Sequence, residues 1–231
     1  MNRIHVTGLA ALAALALGAG SALAQPAKGN NVAENAQPDE ALVSAIQSMA
    51  MAQQLASIGV ESGDPILLIA AARLASQVAA SETTLQPREP ERPGDGEVTV
   101  LHSAEEMLAA ARDLAGDRQD LIGLIDDVAA EGSRGSIYGA GYYDGYVDGY
   151  QNVYYDEAFY GGEQAIVTLQ GHNPSDIDLW VYDEYGNLIC SSTGYSSYET
   201  CSWTPAWTGN FTIRVENEGH ARGTYYTLWT N

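Results

Sequence analysis

Five side chains towards the C-terminal end have types and spacing suited to holding a ligand. Asp176, Asp178, Trp180 and Tyr182 alternate with Ile177, Leu179 and Val181. Strict alternation is the period of a half-buried strand, so two carboxylates and two aromatic rings share the face opposite the apolar one. Carboxylates about 7 Å apart along one strand repel unless a cation, an arginine or a hydrogen-bond donor lies between them. Arg214 faces away from the apolar side of its own strand and is the candidate partner. The sharper alternative is calcium at Asp176 and Asp178. Calcium takes about six to eight oxygens, so a loop residue, Asp144, Asp148 or Asp156, would have to close such a site. Trp180, Tyr182 and Arg214 are the candidate ligand-binding residues, the rings offering flat surfaces to a sugar or peptide.

Catalytic signatures are absent from the sequence. His102, His172 and His220 fall in separate neighbourhoods, and His172 sits in a Gly-His-Asn-Pro stretch that reads as a solvated turn. No His-Glu-x-x-His, Gly-x-Ser-x-Gly, phosphate loop or Cys-x-x-Cys occurs. The expectation is therefore no enzyme and no catalytic residue.

The elements that must position these groups follow in chain order. A charged start, the apolar run Leu9 to Leu17 and Ala22-Leu-Ala24 read as a signal peptide over residues 1–24, which predicts a periplasmic or secreted protein. Residues 25–38 read as a polar, disordered leader. Residues 39–135 read as a small helical bundle of two hairpins. Asp64-Pro65 is an N-cap followed by proline at the first helical position, and Ser103-Ala-Glu-Glu106 is a capping box. Within this part, Pro87, Pro90 and Pro93 mark an exposed linker over 83–97. Residues 136–152, with Asp-Gly-Tyr recurring every four residues, read as a Tyr/Gly-rich bridge.

From residue 153 onward, short turn-punctuated strands are predicted at Val153–Tyr160, Gln164–Gln170, Ile177–Tyr182, Leu188–Ser191, Glu199–Trp203, Asn210–Val215 and Thr224–Trp229. They argue for an antiparallel sandwich. Every Tyr, Trp and Phe lies at Tyr138 or later, which predicts two separately built cores. Cys190 and Cys201 are the only cysteines, and in an oxidising compartment they are expected to pair.

Asp176-Ile-Asp-Leu-Trp-Val-Tyr-Asp-Glu-Tyr-Gly-Asn187, Trp203-Thr-Pro-Ala-Trp-Thr-Gly209, Phe211-Thr-Ile-Arg-Val-Glu-Asn217 and the closing Tyr225-Tyr-Thr-Leu-Trp-Thr-Asn231 resemble the bacterial pre-peptidase C-terminal domain over residues 153–231. The resemblance implies a jelly-roll-like β-sandwich of a kind often appended to secreted proteases and used in substrate or matrix binding. Some relatives bind calcium. The helical part does not resemble a protease, and the arrangement is similar to small exported proteins that carry this module alone.

Thirty acidic residues against ten basic ones give a formal net charge of −20. Such a chain repels nucleic acid and anionic membrane surfaces, and no stretch after the signal is long and apolar enough to span a bilayer. The expected function is an exported, non-catalytic module that recognises a glycan, a peptide or a matrix component, with calcium as the only cofactor considered. Two alternatives stand beside it. One is an assembly factor that docks a partner through its helical half. The other is an accessory tail of a secreted hydrolase system.

Overall fold

A computed structural model describes residues 29–231, apart from 84, 90, 92–93, 95–97, 133–137, 173–175 and 219–221. The signal peptide, residues 25–28 of the leader, Pro90, Pro93 and His220 lie outside the described residues, and the rest of the leader is not a free polar tail: Asn31 is buried, its N–H donates to Asp183 Oδ2 at 3.1 Å and its side-chain amide to the Trp207 carbonyl at 3.0 Å.

Among the described residues, four helices and nine strands form three layers. The helices are α1 (Glu40–Ser62), α2 (Pro65–Ala75), α3 (Ala104–Ala115) and α4 (Gln119–Gly132). The strands are β1 (Val78–Glu82), β2 (Tyr138–Val147), β3 (Asn152–Phe159), β4 (Ala165–Gly171), β5 (Asp178–Tyr182), β6 (Leu188–Ser192), β7 (Tyr198–Trp203), β8 (Gly209–Glu216) and β9 (Thr224–Thr230). One sheet has the order β1-β2-β9-β4-β7 and the other β3-β8-β5-β6. All pairs are antiparallel except β1 with β2. The chain is thus a helical part on a β-sandwich.

Local signals set the helix ends. The Asp64 side chain accepts from the Ile66 N–H, with Pro65 opening α2. Ser103 and Glu106 complete the capping box of α3. Gly63 ends α1 in the left-handed region at φ 64°, where a side chain would be strained. The apolar residues Met49, Leu68, Met107 and Ile125 then bury against each other.

That helical core is not separate from the sheets. Ala140, Ile166 and Trp229 belong to it, and the Trp229 indole donates to Gln53 Oε1 of α1 at 2.9 Å. β4 is buried along its whole length because helices cover one face and the second sheet covers the other. There are thus two core clusters, one helical and one aromatic between the sheets, but the helical one includes Ala140, Ile166 and Trp229 of the first sheet.

Two further readings change. The stretch read as a bridge contains β2, which pairs along seven residues with β9. Its glycines suit a strand here because a Cβ on Gly145 would sit 2.6 Å from the Tyr226 ring, which lies across it. The stretch read as an exposed linker follows β1 and lies along the sandwich. Leu85 is buried in the inter-sheet core, Pro87 bridges Tyr155, and the Arg88 N–H donates to the Tyr154 carbonyl at 2.8 Å. We call residues 85–89 and 91 the strap. It closes the sandwich on the β3 side. On the other side the expected Cys190–Cys201 disulfide joins β6 to β7, the edge strands of the two sheets.

Candidate functional site

Register puts three rows of side chains on the outer face of the four-stranded sheet. Tyr154, Arg214, Trp180 and Ser191 are directly opposite one another across β3, β8, β5 and β6. Asp156, Thr212 and Tyr182 form the next row, and Asn152, Glu216 and Asp178 the row on the other side. The three binding residues chosen from the sequence therefore converge. The Arg214 guanidinium lies 4.5 Å from the Trp180 ring centroid and 5.9 Å from that of Tyr182. Cation–π attraction of this kind is worth about 0.5–2 kcal/mol, more as water is excluded.

The stack changes what Trp180 can do. Its ring supports Arg214 rather than standing open as a flat platform, and its indole Nε1 is buried without a hydrogen-bond partner. Tyr154 and Tyr182 remain partly exposed beside it. Arg214 donates to Glu216 Oε2 at 2.5 Å. It is thus the partner of Glu216, not the bridge between Asp176 and Asp178.

Asp178 is buried, and desolvation pushes its carboxyl up to about 6, with Asp176, Glu218, Glu216 and Glu199 adding to the push. Among the described residues, the carboxylates close enough to share one cation are Asp178, Glu216 and Glu218, whose oxygens lie within 4.8 Å of one another. Asp178 keeps its expected place in this group, and Asp176 is outside it. The three proposed loop donors are also outside. Arg88 holds Asp156 through both oxygens, at 2.7 and 2.5 Å, and keeps its carboxyl below the usual range. Asp144 lies in the other sheet, and Asp148 lines a cleft.

That cleft, of about 590 Å³, opens where the strap meets the β2–β3 turn. Its walls include Arg88, Glu89, Tyr146, Gln151, Asn152 and Tyr154. Tyr154 is shared with the Arg214 row, so cleft and sheet face are one continuous surface. Glu91 forms its floor: its Oε1 accepts from the hydroxyls of Tyr155 at 2.5 Å and Tyr226 at 3.0 Å, and its Oε2 from the Tyr146 N–H at 2.9 Å. Tyr150, in the β2–β3 turn, is exposed at a φ of 60° that non-glycine residues rarely adopt.

A chain of polar groups, exposed at Asp144 and buried at Thr227, joins two of the histidines. His102 Nε2 lies 2.9 Å from Asp144 Oδ2, Thr227 donates to Asp144 Oδ1 at 2.6 Å, and His172 Nε2 lies 2.8 Å from the Thr227 hydroxyl. His172 is not a solvated turn residue: desolvation pushes it down to about 4. The strap residues and this chain were invisible in the sequence, because partners such as Asp144 and Thr227 are separated by 83 residues.

No protein-family model matches the chain, and no curated protein is similar to it in sequence. Solved structures similar to part of it include a periplasmic inhibitor of g-type lysozyme from Aeromonas hydrophila, at 13% identity over 40% of this chain and 84% of that one, with a TM-score of 0.32. The pre-peptidase C-terminal domain of a Bacillus anthracis collagenase is another, at 10% identity over 40% of this chain and 76% of that one, with a TM-score of 0.26. A third is a carbohydrate-binding module in complex with calcium and xylotriose, at 15% identity over 38% of this chain and 87% of that one, with a TM-score of 0.26. One of these partial likenesses is a pre-peptidase C-terminal domain. At such scores, what those proteins bind is not carried over to this chain.

Proposed function

We propose that the protein is an exported, non-catalytic binding module whose ligand is a glycan, held in the cleft beside the strap and along the Tyr154 row. The observation that carries this reading is the lining of the cleft. A sugar ring offers C–H groups on its faces and hydroxyls around its edge. Tyr154 supplies a ring for the faces. Arg88, Glu89, Gln151 and Asn152 supply planar polar groups for the edge. A concave site with a few convergent polar groups beside aromatic walls is the usual form of a small-ligand site. Export is supported by the disulfide, and among the described residues no helix is long and apolar enough to cross a membrane. The module is read as a divergent, jelly-roll-like member of the pre-peptidase C-terminal type on the motifs quoted above. Depletion assays on insoluble polysaccharides and a glycan array test the reading. Wild type should be retained by at least one glycan, and Tyr154→Ala should lose about ten-fold or more in affinity. Retention of neither protein, or equal retention of both, rejects it.

Calcium assistance is the second reading, supported by the group of Asp178, Glu216 and Glu218 next to the Arg214 stack. Millimolar calcium should raise the unfolding midpoint of wild type and leave Asp178→Asn unchanged. No shift in wild type removes calcium from the account.

A further inference from the structure

Of the four sheet edges, two are tied to each other and one meets the strap. β6 and β7 are drawn together by the disulfide, and the outer side of β3 meets the strap at Pro87 and Arg88. β1 is the fourth, and among the described residues no strand or bridge pairs its outer side. Which groups point outward follows from the ladder. The Thr83 N–H donates to the Tyr142 carbonyl at 2.8 Å. In a parallel pair, alternate residues direct both backbone groups to the same neighbour. Residues 79, 81 and 83 therefore bond to β2, and Val78, Ala80 and Glu82 turn their N–H and C=O groups outward.

A groove of about 630 Å³ lies beside the start of this edge, between β1 and the helices α3 and α4. Its walls are mainly apolar, with Val78, Ala79, Leu108, Ile125 and Val128 among them. The helices that flank it are acidic. Together α3 and α4 hold seven Asp and Glu residues and one arginine, Arg112, which is itself bound to Asp126 at 2.5 Å. An unpaired strand edge next to an apolar groove is the arrangement that accepts an added strand: backbone bonds hold it, and alternate side chains enter the groove.

We propose that β1 and this groove dock an extended segment of a partner protein, with apolar residues alternating with lysine or arginine, by strand addition. The backbone pairs with Val78 and Ala80, the apolar side chains enter the groove, and the basic side chains meet α3 and α4. This goes beyond the glycan reading and uses none of its residues.

The test uses the full chain and a labelled synthetic peptide that alternates valine with lysine. A peptide that alternates valine with glutamate is the control. Fluorescence anisotropy should show binding of the first and not of the second. Ala80→Pro removes an outward N–H while leaving the β2 ladder intact, and should weaken binding by about ten-fold, as expected for a lost backbone bond and a blocked edge. Val128→Trp, which fills the groove from the helix side, is the second variant and should weaken it similarly; its circular dichroism reports folding independently. Tyr154→Ala should bind the peptide as wild type does. Binding that survives both groove variants, or that disappears wholly at high salt in all of them, is charge adsorption and overturns the proposal. So does a concentration-dependent dimer that Ala80→Pro abolishes, since the occupant would then be a second copy.

Discussion

Replacing Glu91 is expected to unfasten the strap. Glu91 accepts three hydrogen bonds, from Tyr155, Tyr226 and the Tyr146 N–H, and both tyrosine side chains are fully buried. Their hydroxyls also touch each other. In Glu91→Ala one hydroxyl can donate to the other, which leaves one O–H and one N–H without an acceptor. A buried donor left unsatisfied costs about 1–3 kcal/mol, so two give about 2–6 kcal/mol. Water entering from the cleft recovers part of this, and the expected loss is about 2–4 kcal/mol. Glu91→Gln keeps an oxygen for the tyrosines but turns an amide donor towards the Tyr146 N–H, which costs about 1–2 kcal/mol. Urea unfolding followed by tryptophan fluorescence measures both. Trypsin adds a local readout, because Arg88 lies within the strap and its cleavage should accelerate in Glu91→Ala. A loss below about 0.5 kcal/mol together with unchanged cleavage would refute the strap as a fastening.

Other outcomes follow from the same geometry. A fragment of residues 150–231 lacks β1, β2 and the strap and should show no cooperative unfolding by circular dichroism, whereas residues 29–231 should. Reduction of Cys190–Cys201 should lower stability by about 3 kcal/mol, the chain-entropy value for a loop of this length, and the denatured, unreduced protein should titrate no thiol. Asp178 is protonated more readily folded than unfolded, so stability should fall as pH rises from about 4 to about 6 and stay lower above it. His172 acts in the opposite sense: it charges less readily when folded, so stability should fall as pH drops from 6.5 towards about 4. Metal-free urea titrations across this range should show the first slope vanish in Asp178→Asn, which should also be more stable than wild type at neutral pH; a slope that persists assigns it to another group.

The strands from β3 onward were legible to within two residues, because alternation such as Phe211, Ile213 and Val215 against Thr212, Arg214 and Glu216 has one physical reading. The caps at Asp64 and Ser103 were equally plain. β1 and β2 were not. Val78-Ala-Ala-Ser-Glu82 has weak strand propensity, and the glycines of β2 look like loop chemistry until the Tyr226 ring is seen to need the space. Both are strands because of what they pair with, which lies outside any local window. The site divided in the same way. Trp180, Tyr182 and Arg214 were found because they carry distinctive chemistry on predicted strands. Glu216 and Glu218 were missed as companions of Asp178 because cross-strand register decides that grouping. Arg88 and Glu91 were hidden in a proline-rich stretch that composition marks as linker.

The position of β9 bears on the order in which the molecule can assemble. It lies between β2 and β4 and meets partners at residues 141–147 and 167–171. Until residues 224–230 arrive, β1 and β2 have no connection to β4 and β7, and Trp229 is missing from the helical core. The middle of the sheet is therefore laid last, across some of the longest sequence separations in the fold. Pairing over such distances is slow, because loop closure must precede its reward. A chain synthesised from its N-terminus would hold β2 to β8 with the two halves of this sheet unjoined until residues 224–230 emerge. That favours a single late closure once β9 inserts.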